Sequence, residues 1–88
     1  MIYTYIVFDK LSGLTKIGKT RDIKKRLSTL STSNLNLSML LVESVDIEKE
    51  LHLLFKDKRV KKEWYDLTRE DIKGIQEIFN NKIIEQWN

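Results

Sequence analysis

The period of hydrophobic and polar positions changes several times along this chain, and each change marks an element. Ile2 to Phe8 is a run of β-branched and aromatic residues, which predicts a strand covered on both faces. DKLSG (9–13) is turn chemistry and TKIG (15–18) is a short second strand, so the two predict a hairpin with Gly13 at its tip. A loop running from Asp9 to Ser12 would set Tyr5 opposite Lys16. Thr20 or Asp22 is placed to cap a first helix, whose buried stripe is Ile23, Leu27 and Leu30. The polar residues 31–34 end that helix. From Leu35 the pattern alternates and merges into Leu40-Leu41-Val42, which predicts a strand buried on both sides. Asp46 then caps a second helix with Ile47, Leu51, Leu54 and Phe55 as its stripe, followed by KDKRVKK (56–62) as a loop. Thr68 and Asp71 have capping-box spacing, and Ile72, Ile75, Phe79 and Ile83 face the core from a last helix.

The order β-β-α-β-α-(β)-α predicts an α+β domain. Its core is a small, mostly antiparallel sheet of three strands, with Glu63-Trp64-Tyr65 as a candidate short fourth, flanked by three helices. With 88 residues and no proline, repeat or low-complexity stretch, residues 1–88 read as one domain, in which 68–88 is the C-terminal helix. The absence of cysteine excludes disulfide staples, thiolate metal sites and cysteine nucleophiles, and a single histidine argues against zinc. Apolar runs fall far short of the roughly 18 residues that cross a bilayer. No secretory signal pattern opens the sequence. The expected location is therefore intracellular, cytoplasmic or nucleoid-associated, without secretion and without a membrane partner.

Charge adds a pattern that the net value of +3 hides. Residues 9–26 hold seven cations against Asp9 and Asp22, and residues 56–62 hold five against Asp57. Two separated basic blocks can form one face towards a polyanion. Lys19, Thr20, Arg21 and Lys25 in the first block, with Lys58, Arg59 and Lys61 in the second, are the candidate nucleic-acid contacts. Gly18 is placed to admit close approach of backbone to phosphate.

Tyr3 and Tyr5 share one face of the first strand, and Lys16 can join them from the hairpin. At 100° per residue, Arg26 lies roughly 60° from the centre of its helix's apolar stripe and Glu48 about 75° from the centre of the next. Both stand on the shoulder between core and water. A phenol, an ammonium, a guanidinium and a carboxylate can therefore meet at one rim of the sheet; alternatively the tyrosines are core residues with wet hydroxyls and the charges are ordinary surface.

The same residues carry a resemblance. Tyr5-Ile6-Val7 is followed eleven residues on by Lys16-Ile17-Gly18, and Arg26 stands ten residues beyond that in KTRDIKKRL (19–27). Ile47-Glu48-Lys49-Glu50-Leu51-His52 and Glu63-Trp64-Tyr65 follow in order. Over about residues 3–67 the chain resembles the GIY-YIG nuclease superfamily, above all its small viral and bacterial branch that ends in an EWF-like segment. The resemblance implies an endonuclease that hydrolyses phosphodiester bonds in DNA, with RNA left open, using one Mg2+ or Mn2+ ion. It casts Tyr5 as general base, helped by Lys16, which stands where the family name has tyrosine. Arg26 would stabilise the phosphoryl transition state and Glu48 would hold the metal. His52, one turn after Glu48, would substitute for the histidine or tyrosine that many members carry where this chain has Leu30. Tyr3 competes with Tyr5 as the base, and Glu50 with Glu48 as the ligand.

Two other readings compete with the enzyme: a nucleic-acid-binding module on the same fold with little cleavage, and an interaction protein that offers its basic face to an acidic partner. At this length no room is expected for a fused specificity domain, so either specificity is low or a homodimer or a partner supplies it. Its abundance of lysine, isoleucine and asparagine points to an AT-rich genome, such as that of a phage or mobile element.

Overall fold

A computed structural model describes residues 1–33 and 35–87. Its elements are β1 (Tyr3–Asp9), β2 (Thr15–Thr20), α1 (Ile23–Ser33), β3 (Leu37–Glu43) and α2 (Glu48–Leu54), then a 3-10 turn (Lys56–Lys58), β4 (Arg59–Lys61), β5 (Trp64–Tyr65) and α3 (Arg69–Trp87). The strands form one antiparallel sheet in the order β3-β1-β2-β5-β4. The expected α+β class with three helices is observed. The sheet has five strands rather than three or four, because part of the basic stretch expected as a loop is strand β4, paired with β5. Asn34, in the polar stretch expected to end α1, lies outside the described residues.

β1 is covered on both faces, as expected: Thr4, Tyr5, Ile6 and Val7 are all buried. Its even-numbered residues face the main core. There Ile6 and Ile17 meet Val45, Ile47, Leu51 and Phe55 before and along α2, Tyr65 of β5, and Ile75 and Phe79 of α3. Full burial of side chains such as Ile75 and Phe79 contributes about 1.5–3 kcal/mol each. The odd-numbered residues face α1, whose Leu27 and Leu30 close a small cavity with Val7, Leu37 and Met39.

Four sequence expectations change here. The α1 stripe is only partly buried, with Leu27 39% exposed. β3 is not buried on both sides, because it forms the edge of the sheet. Ile6 pairs with Leu41 and Val7 with Met39, which leaves Leu40 in a bulge and 41% exposed. Asp46 does not cap α2: the N-cap is Ile47 and has no side-chain cap bond. Leu54, expected in the α2 stripe, is exposed.

The start of α2 is instead tied to β1. The fully buried Thr4 hydroxyl donates to the Val45 carbonyl at 2.6 Å and accepts the Ile47 N–H at 3.1 Å. A polar group buried this deeply is tolerated because both of its roles are satisfied.

The capping box of α3 is present. Thr68 Oγ1 accepts the Asp71 N–H at 3.1 Å and Asp71 Oδ2 accepts the Thr68 N–H at 2.9 Å. The same carboxylate takes Lys58 Nζ at 2.5 Å. Burial alone would raise the pKa of Asp71, but the bonds from Lys58 and Thr68 outweigh it and hold the group below its ordinary value. Asp71→Ala is expected to lower stability in urea unfolding by about 1 kcal/mol at pH 7. A depressed folded pKa means this contribution is present above about pH 4 and is lost as pH falls through the lowered value, below which the two proteins should converge.

Candidate active site

The hairpin register decides what surrounds Tyr5. β1 and β2 pair Tyr5 with Gly18 and Val7 with Lys16, two residues away from the expected pairing of Tyr5 with Lys16. The cause is a longer turn. Asp9 N–H donates to the Leu14 carbonyl at 2.9 Å and Gly13 lies inside the loop at φ 76°. The Asp9 carboxylate accepts the Leu11 N–H at 3.0 Å and the Ser12 hydroxyl at 2.9 Å. A shift of two preserves the face, so Lys16 still shares the Tyr5 side of the sheet.

Gly18 does something other than expected. A Cβ built on it would stand 2.5 Å from both Cζ and the hydroxyl oxygen of Tyr5. The phenol ring therefore lies across the β2 backbone at the one position of the strand that has no side chain. The space assigned to an approaching phosphate belongs to Tyr5. The ring is 2% exposed. Among the described residues no fully buried side-chain polar atom lacks a partner. Among the described residues the Tyr5 hydroxyl makes no hydrogen bond, so this oxygen keeps a trace of solvent contact at the end of an otherwise buried side chain.

Arg26 comes from α1. Asp22 caps this helix by accepting the Lys25 N–H at 3.0 Å, and Thr20 Oγ1 accepts the Asp22 N–H at 3.1 Å. Thr20, Asp22, Lys25, Arg26 and Thr29 line a polar pocket of about 220 Å³. Arg26 is half-buried, while Arg21 and Lys25 are exposed beside it. Lys19 pairs with Thr4 and so points to the opposite face from Tyr5, which removes it from the expected contact surface of that side. Tyr3 pairs with Thr20 on the Tyr5 face.

Glu48 and His52 come from α2. β5 pairs with only Thr15 and Lys16, so beyond them β2 has a free outer edge. The Ile17 N–H on that edge donates to the Glu63 carbonyl at 3.1 Å, and the Ile17 carbonyl accepts from His52 Nε2 at 3.0 Å. His52 thus stands in for a missing strand partner and fixes α2 beside the site. Its ring is also packed against that of Tyr65, with centroids 5.3 Å apart. These contacts give His52 a positioning part, through the Ile17 carbonyl and the Tyr65 ring. Glu50, the rival ligand, is exposed and 3.9 Å from Lys82.

The charges converge on the phenols. Burial raises the pKa of Tyr5 above its ordinary value, Arg26 pulls it down, and Glu63 and Glu48 push it up. Tyr65 is raised by burial too, with Arg59 opposing and Glu48 and Glu63 reinforcing. Arg26 and Glu48 therefore both act on the Tyr5 hydroxyl, from helices on different sides of the sheet. Lys16 does not take the expected part: its ammonium is 3.8 Å from Glu63, and the cation that lowers the phenol is Arg26.

Sequence reading missed Thr4, Glu63 and Tyr65 as members of this arrangement. The only available signals were a hydroxyl in an otherwise apolar strand and an acid next to two aromatics. The second basic block divides: Lys58 is held by Asp71, Arg59 pairs with Tyr65 on the core face, and Lys61 pairs with Trp64 on the Tyr5 face.

The donor set bears on metal binding. Among the described residues no group of three or more His, Cys, Asp or Glu side chains could enclose an ion. Glu48, half-buried at the start of α2, supplies a single carboxylate. That fits a hard, largely hydrated ion such as Mg2+, which is bound through one or two carboxylates and completed by substrate phosphate.

The fold is a small α+β domain in which the charges of Arg26, Glu63 and Glu48 all bear on the Tyr5 phenol. The chain belongs to the T5orf172 domain family, whose model matches residues 2–83, a family of small endonuclease-like domains. No curated protein and no solved structure matches it. Among the described residues no helix is long and apolar enough to cross a membrane.

Proposed function

We propose that this domain is a metal-dependent endonuclease of the GIY-YIG type that hydrolyses phosphodiester bonds in DNA. The observation that carries the reading is the buried Tyr5 phenol, laid over Gly18 and within the fields of Arg26 and Glu48. Tyr5 takes a proton from the attacking water. A free phenol ionises near pH 10, and burial moves Tyr5 further from neutrality, so the positive charge of Arg26 is what favours the phenolate. The Arg26 guanidinium also offers a planar fork to two phosphate oxygens and stabilises the charge that builds on them. Glu48 would hold Mg2+ or Mn2+, and the bound ion would supply Lewis-acid stabilisation of the leaving oxygen. Lys16, on the Tyr5 face, is positioned to exchange Glu63 for a phosphate when substrate arrives.

The test is conversion of supercoiled plasmid to nicked circles. Cutting is expected with Mg2+ and should stop on addition of EDTA. Salt-sensitive binding without any cut product under either ion would support the binding-module reading instead. Leu30 gives that alternative its specific support, since it packs against Val7 and Leu37 and offers no proton or phosphate contact.

A further inference from the structure

The side of the sheet that carries Tyr5 continues past it, and that part of the surface is so far without a role. The registers pair Val7 with Lys16, Lys16 with Trp64, and Trp64 with Lys61. Directly paired residues of an antiparallel ladder point to one face, with Cβ atoms about 4.5–5.5 Å apart. Lys16, Trp64 and Lys61 therefore form one row across three strands, on the face of Tyr5. α1 covers the other end of this face, where Leu27 and Leu30 meet Val7, Leu37 and Met39. Helices α2 and α3 pack on the reverse side, against Ile6 and Ile17. Among the described residues, the core packing of α2 and α3 is to that reverse side and does not include the members of the row.

The members of the row are accessible to match. Lys61 is exposed, and Trp64 and Lys16 are half-buried. Trp64 takes no part in the core cluster that holds its neighbour Tyr65. The 3.8 Å contact between Lys16 and Glu63 is a partly exposed pair, with side chains 22% and 44% accessible, and pairs of this kind are weak. An indole between two ammonium groups on open β-surface combines a ring that can stack on a base with charges that can meet the phosphates on either side of it.

We propose that Lys16, Trp64 and Lys61 form a platform for unpaired nucleic acid, so that the substrate is a DNA with a single-stranded stretch, such as a flap, overhang or loop, led to the phenol of Tyr5. In a duplex each base is covered above and below by its neighbours and offers only its edges. A ring on a sheet surface stacks only on a base whose face is free. The row meets β1 at Val7, two residues from Tyr5 on the same face, and the polar pocket of Thr20, Lys25 and Arg26 receives the strand beyond Tyr5. This assignment rests on the reading of the Tyr5 rim as a nuclease site.

The experiment uses a DNA single strand of about 15 nucleotides carrying 2-aminopurine, a length that suits one small binding surface. A blunt hairpin duplex of matched charge serves as its comparison. Binding of the single strand is expected to quench the 2-aminopurine. Trp64→Ala should weaken single-strand binding about 5- to 150-fold and hairpin binding far less, with Trp64→Phe keeping most of the affinity. Lys61→Ala should lower the slope of log K against log salt for the single strand by about 0.7. Far-UV circular dichroism confirms the fold of each variant, and Trp64→Phe with Lys61→Ala carry the test if Trp64→Ala does not fold. An unchanged 2-aminopurine signal, or equal weakening of both ligands by Trp64→Ala, overturns the platform. Quenching without metal-dependent cutting leaves the platform standing and overturns the nuclease reading. Cutting of plasmid without quenching does the reverse.

Discussion

Arg26→Ala is expected to slow phosphodiester cleavage by about 10²–10³-fold, the usual cost of removing one preorganised donor from a transition-state oxyanion. DNA binding at moderate salt should change far less, because one cation among the many on this surface contributes only a small part of the polyelectrolyte attraction. Two properties separate this expectation from a folding defect. Arg26 is half-buried on the flank of α1, not in the core, so the urea midpoint should move little. Arg26→Lys keeps the charge but loses the planar fork, so it should restore only part of the rate. Glu48→Gln, nearly isosteric, should abolish the response to Mg2+ while leaving the protein folded, since the α2 start is anchored by Thr4 through Ile47 and not by Glu48. A variant pair that cuts as well as the parent would remove the mechanism, whatever its affinity for DNA.

The second large effect lies in pH. Burial, Glu63 and Glu48 hold the Tyr5 phenol above its ordinary value, and only Arg26 opposes them. Below that value the phenolate fraction rises tenfold for each pH unit. The logarithm of the single-turnover rate should therefore climb with a slope near one from pH 6 upward, without levelling by about pH 9. Tyr5→Phe is expected to lower the rate by about 10²–10⁴-fold and to flatten this slope. Removing Arg26 takes away the one protein charge that favours phenolate, so any residual activity of Arg26→Ala should require higher pH still. The linkage sign for stability runs the same way. A phenol with a raised folded pKa favours the folded chain at and below neutrality, and this benefit is lost only in strong alkali. A rate that is flat from pH 6 to 9 in the parent protein would exclude Tyr5 as the base.

These two effects depend on a geometry that the linear chain states only in part. Spacing placed Tyr5, Lys16, Arg26 and Glu48 on the elements where the structure has them, because periods of 2.0 and 3.6 residues are local properties. The face shared by Tyr5 and Lys16 was legible for the same reason, and it survived an error in register because the error was an even number of residues. What the side chains touch was not legible. That Gly18 exists to seat the Tyr5 ring, and not a phosphate, follows from a cross-strand pairing set by the length of a turn around Gly13. The basic stretch 56–62 looked like one solvated loop because charge says nothing of backbone pairing. Folding splits it into a cation tied to Asp71, one on the core face and one beside Trp64.

By itself, then, the order of residues determined the elements, the face of each strand and the cast of chemical groups, since alternation, capping and helical periodicity act over a few neighbours. Only the tertiary structure decided which group answers which. β5 stops short of the end of β2, and the open carbonyl of Ile17 is met by His52. The hydroxyl of Thr4, 43 positions away in the chain, holds the N–H of Ile47 and so sets where Glu48 begins its helix. Contacts of that range close only when the whole sheet has assembled, and no local pattern records them.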